Sequence, residues 1–107
     1  RAELFVKRAC TSTTYPDLCL TSLSSYSTSI NNSPILLAHT ALSLSIDGAR
    51  STSTAMKSLS AASEPRMRPR EAEAMSDCME NVGDSIEELR DSLSEMRDLR
   101  VGKNMSY

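Results

Sequence analysis

The most regular pattern of apolar positions lies in the last third of the chain. Ala72, Met75, Met79, Val82, Ile86, Leu89, Leu93 and Met96 follow one another at spacings that alternate between three and four. A stripe sustained over more than three heptads predicts one long helix with a single apolar face. The helix spans about residues 70–99, roughly 45 Å at 1.5 Å per residue. Gly83 falls inside it and leaves the phase unbroken. A helix this long gains little from propensity alone, so its stripe needs facing helices.

A second stripe precedes it. Ile35, Leu42, Ala49 and Met56 are seven apart, with Ala38 and Leu59 on the companion positions and Ser45 and Thr52 filling the two between. This predicts a helix over about residues 34–62. Its start is marked by Asn31-Asn32-Ser33-Pro34, where Ser33 suits the N-cap and Pro34 the first helical position. Asp47-Gly48 has the composition of a turn, but the apolar phase runs through it. Pro65 and Pro69 break the pattern between the two helices, and the basic residues Arg66, Arg68 and Arg70 in that break read as a solvated linker. Two long helices on a short linker make an antiparallel pair, half of a four-helix bundle.

The first thirty residues read as a small helical hairpin. Leu4, Phe5 and Ala9 mark its first helix, Pro16 opens the second, and Leu20, Leu23, Tyr26 and Ile30 recur at helical spacing. Beyond residue 99 the pattern is lost, and Gly102 is a helix stop. The expectation is an all-α chain with residues 1–30 as the hairpin and residues 34–107 as the first half of an incomplete bundle.

Composition narrows the chemistry. The chain has 107 residues, enough for one small domain or part of one. Three Gly, one Phe and no Trp argue against a many-stranded fold with glycine-rich turns. A formal charge of −2 gives no basis for binding a phosphate backbone, so no nucleic acid is expected. No apolar run approaches the roughly 18 residues of a membrane span. A single histidine, His39, leaves catalytic triads and zinc sites without their usual partners, and it reads as an ordinary helix residue. Neither a G-x-S-x-G elbow nor a phosphate-cradling glycine loop is present. The reading is therefore not an enzyme, with no cofactor and no metal, and the methionines are core fillers.

Three cysteines are an odd number. Cys10 and Cys19 sit on the two hairpin helices with eight residues between them. If bonded they staple the hairpin, a loop closure of roughly 2–3 kcal/mol; otherwise they are two half-buried thiols. Cys78 lies one residue off the long stripe, and is either a buried free thiol or a residue whose partner lies beyond this sequence. The chain opens at Arg1 with neither Met nor a signal peptide, so it does not read as a complete precursor. The sequons at Asn31 and Asn104 are compatible with secretion.

The face opposite the long stripe is acidic. Asp77, Glu80, Asp84, Glu87, Asp91 and Asp98 are spaced three, four, three, four and seven apart, flanked by Glu88 and Glu95, with Arg90 and Arg97 at the edge. Like charges at these spacings repel by some tenths of a kcal/mol each. The ridge is either a solvated face or a docking surface for a polar or basic cleft.

Two stretches carry a resemblance. Cys10-Thr11-Ser12-Thr13-Thr14-Tyr15-Pro16-Asp17-Leu18-Cys19-Leu20 resembles the first motif of the plant invertase and pectin methylesterase inhibitor family. Asp77-Cys78-Met79-Glu80-Asn81-Val82-Gly83-Asp84-Ser85-Ile86-Glu87-Glu88-Leu89 resembles its second. The order, spacing and helical pattern match over essentially the whole chain, most closely the pectin methylesterase inhibitor-like members. The resemblance implies a secreted, extracellular protein of the cell wall or apoplast. Its hairpin precedes an up-down four-helix bundle, of which this sequence holds the first two helices. It implies a Cys10–Cys19 disulfide and a second one joining Cys78 to a cysteine on the third bundle helix. It implies stoichiometric inhibition, with the bundle docked over the substrate cleft of pectin methylesterase. The acidic positions that contribute to that interface correspond to Glu80, Asp84 and Glu87, and Asp77 and Asp91 extend the same face.

Three alternatives follow. Invertase inhibitors of the family carry a Pro-Lys-Phe tripeptide after this helix, and residues 100–107 have none, which lowers that reading. A pro-region of a pectin methylesterase precursor would look the same over this stretch. A self-associating helical module, a homodimer through the exposed stripes, needs no enzyme target.

Overall fold

The computed structural model describes residues 1–100, with side chains through Asp98. The expectations placed on Gly102, on the sequon at Asn104 and on the rest of residues 101–107 lie outside the described residues. Among the described residues every regular element is helical, as the patterning predicts. Helix α1 is Ala2–Thr11, α2 Pro16–Leu23, α3 Ser27–Ile30, α4 Pro34–Ser63 and α5 Pro69–Arg100, with 3₁₀ turns at Ser24–Tyr26 and Glu64–Arg66. The chain divides into two compact units. One is Arg1–Leu44 with the end of α5 from Leu93 on, and the other is Ser45–Ser92.

The first unit is built around Val6, Cys10, Leu23 and Ile30, all buried. Val6 and Cys10 are one turn apart on α1, and burying each aliphatic side chain of this set contributes about 1.5–3 kcal/mol. Leu37, Ala41 and Leu44, spaced four and three, bring the first turns of α4 against this core, together with Phe5, Cys19 and Leu20. Between α2 and α3 the helix tightens, and Ser27 rather than the expected Tyr26 turns inward: Ser27 is 4% exposed and Tyr26 40%. Ser27 is small, and its hydroxyl donates to the Ser24 carbonyl at 2.7 Å, so burying it leaves no unpaired polar group.

The helix ends follow local chemistry. Asn31 and Asn32 both have positive φ, 47° and 61°. Asn tolerates this left-handed region better than other residues bearing a Cβ, and it closes α3. Ser33 then caps α4: the Leu36 N–H donates to Ser33 Oγ at 3.2 Å, and Pro34 follows at the first helical position. The many hydroxyls along the helices are accommodated by bonds to the carbonyl one turn back, from Thr11 to Lys7, Thr40 to Leu36, Thr52 to Gly48 and Ser92 to Glu88.

In the second unit the chain leaves along α4, turns through residues 64–68 and returns along α5. The helix continues through Asp47-Gly48 without a break. Among the described residues the stripe on α5 is as read: Ala72, Met75, Met79, Val82, Ile86, Leu89, Leu93 and Met96 are all half-buried, and none is fully buried. The seam on α4 differs from the expected one. The inward series in this unit is Ile46, Ala49, Ser53, Met56, Ser60 and Ser63, whereas Ser45, Thr52 and Leu59 are exposed. Ala49 and Met56 lie on the seam as expected, but their companions Ser53 and Ser60 lie four residues on, not three. Both spacings are open to a helix. Leu59 favours one and Ile46 the other; Ile46 is 5% exposed and Leu59 57%. Ile35 at the head of the expected stripe is exposed as well.

Candidate functional site

Helix α5 is fixed at its start by its own side chain. The backbone N–H of Arg68, the residue before Pro69, donates to Glu71 Oε1 at 2.9 Å. This is the return half of a capping box, with Glu at the third helical position satisfying the N-cap amide. Pro69 in turn disfavours helical geometry at Arg68. With the start pinned and the apolar stripe turned inward, the outward face follows from the 3.6-residue period.

That face carries the acidic ridge. Glu80, Asp84 and Glu87, the three positions implicated by the second motif, are all exposed, as are Asp77 and Asp91. Glu88 and Glu95 are exposed beside them, while Asp98 is half-buried. Neighbours three and four apart on a helix lie about 5–6 Å apart at Cβ, and Asp77 to Asp91 covers roughly 21 Å of axis. The row is therefore a narrow anionic strip several turns long. A rigid helix holds these carboxylates at fixed intervals, which suits reading a surface of opposite charge on another protein. No group of three or more His, Cys, Asp or Glu among the described residues could hold a metal ion.

Cys10 and Cys19 are joined in a disulfide with Cα atoms 5.5 Å apart, which ties the end of α1 to the start of α2. Of the two readings left open for these cysteines, the bonded one is correct. Cys78 is free and exposed, so the buried-thiol reading of it is wrong. Its position one residue off the stripe turns it to the flank of α5, about 100° round the helix from its neighbour Met79. His39 is half-buried on α4.

At the turn between the long helices lies a feature that the apolar spacing does not predict. Met56, Leu59 and Ser63 of α4, Met67 of the turn, and Glu71, Ala74, Met75 and Cys78 of α5 line an apolar groove of about 580 Å³. By helical geometry this groove lies on the other flank of α5 from the acidic ridge. The one available signal was Met67, a single apolar residue among arginines and prolines.

Comparison with known proteins places this architecture. The family profile described as plant invertase/pectin methylesterase inhibitor matches residues 4–106. Pectinesterase inhibitor 11 of Arabidopsis thaliana is 38% identical over 82 residues, covering 77% of this chain and 40% of that protein. The 21 kDa protein of Daucus carota is 41% identical over 81 residues, covering 76% of this chain and 41% of its own length. Pectinesterase inhibitor 4 of Arabidopsis thaliana is 36% identical over 78 residues, with 73% and 39% covered. The chain thus spans about 40% of the length of these relatives. No solved structure matches it at a significant level.

Proposed function

The chain belongs to the plant invertase/pectin methylesterase inhibitor family, and from that premise we propose that it is a stoichiometric protein inhibitor of pectin methylesterase acting outside the cell, in the wall. The observation that carries the reading is the division of α5 into two faces. Its eight apolar stripe residues turn inward and leave Glu80, Asp84 and Glu87 exposed in one row. Relatives named as pectinesterase inhibitors support the choice of target. The three carboxylates dock against the rim of the enzyme's substrate cleft and the helix pair covers the opening, so that pectin is kept out. No bond is made or broken; the mechanism is occlusion.

The same reading takes residues 1–30 as a stapled hairpin and residues 34–107 as the first half of a four-helix bundle. It assigns the exposed Cys78 to a second disulfide with a further helix. Methyl-ester release by a plant pectin methylesterase, titrated with the protein, tests the proposal. The expected result is a linear fall in rate that reaches its floor near one inhibitor per enzyme. A full rate at micromolar excess would remove the target.

A further inference from the structure

We propose that the basic turn between α4 and α5 is a binding surface for a linear polycarboxylate, specifically a polyuronate chain freed of its methyl esters. The choice of polymer rests on the inhibitor reading above; the surface itself rests on the geometry of the turn. Arg66, Arg68 and Arg70 are exposed, and Met67 between the first two is half-buried. Met67 has extended backbone, φ −82° and ψ 140°, and lines the apolar groove. Met67 is extended between the 3₁₀ turn that ends at Arg66 and the start of α5, and with Met67 half-buried the flanking Arg66 and Arg68 are both exposed. Their Cα atoms are then roughly 6–7 Å apart.

The turn is also ordered in advance. Pro65 and Pro69 restrict it from both sides, the Met67 N–H donates to the Glu64 carbonyl at 3.1 Å, and the Arg68 N–H is held by Glu71. A ligand that binds such a segment loses less in ordering it. The guanidinium fork matches a carboxylate in a two-point contact, which a neutral ester does not offer. Glu64, Glu71 and Glu73 are exposed among the three arginines, so binding here rests on the two-point guanidinium contacts and not on an excess of positive charge.

The placement separates this surface from the docking face. Glu80, the nearest of the three docking carboxylates, lies ten residues along α5 from Arg70, roughly 15 Å of axis, and the acidic ridge repels the same polymer. One molecule can therefore hold a de-esterified stretch of polysaccharide at the turn while its ridge engages an enzyme. The inhibitor would thus be retained where methyl esters have already been removed.

The test is retention of the protein on immobilised polygalacturonate, on highly methyl-esterified pectin and on heparin, at low and raised salt. Retention on polygalacturonate that falls as salt rises is expected, with little on the esterified polymer and less on heparin. The variant R66Q/R68Q/R70Q should bind about fivefold or more weakly, and E73Q should bind more tightly. Both variants should keep the helix content and the inhibition of the parent protein. No retention of the parent protein overturns the proposal, as does equal retention of the triple variant, of the esterified polymer or of heparin. No enzyme enters the retention measurement, so loss of inhibition alone overturns the inhibitor reading and leaves the turn's affinity for the polyuronate standing.

Discussion

At the scale of single residues, the clearest structural choices are made at helix ends. Ser33 was legible as a cap because its chemistry is local: a short hydroxyl before proline and an apolar run needs no tertiary information. Replacing it with Ala should cost about 1 kcal/mol by chemical denaturation, because the Leu36 N–H loses its acceptor. Gly48 and Gly83 were read as continuing their helices, and both do. A Cβ built at either position meets nothing within 4 Å. Gly48→Ala should therefore raise stability by about 0.4–1 kcal/mol, by restricting the unfolded chain. A loss instead would mean that the position is more crowded than the structure shows. Ser27 and Met67 were not legible, because each is decided by what surrounds it. A serine is buried only where a neighbouring carbonyl accepts from it, and a methionine in a charged turn gains a role only once a groove lies beneath it.

At the scale of elements, the two long helices differ in how well their patterns spoke. The stripe on α5 was legible in full because eight apolar positions keep one phase without a rival. On α4 serines occupy half the inward positions, so hydrophobicity alone could not choose between companions three or four residues away. The observed seam makes a sharp forecast. Ile46→Ala should cost about 2–5 kcal/mol, the ordinary range for a buried aliphatic. Leu59→Ala should cost less than about 1 kcal/mol, because the side chain is 57% exposed. Thermal unfolding of the two variants side by side decides between the seams, and the reverse order would restore the one expected from sequence. The hairpin depends on its covalent tie. In the chain-entropy account, replacing both Cys10 and Cys19 with Ala removes roughly 2–3 kcal/mol, which should appear as a lower melting temperature.

At the scale of the molecule, α5 is the organising element, since one face is apolar and the other acidic along the same helix. All eight stripe residues remain partly exposed. The all-helical class, the two long helices and the exposed acidic row on α5 are readable from the spacing of residues. The groove at the turn is not, because it is assembled from three separate stretches of chain. The measurement that bears most directly on the account is the affinity of the protein for pectin methylesterase, set beside that of the variant E80A/D84A/E87A in one titration calorimetry series. The account predicts binding at least tenfold weaker for the variant, about 1.4 kcal/mol, with unchanged helix content. Equal affinity would contradict docking through the acidic face.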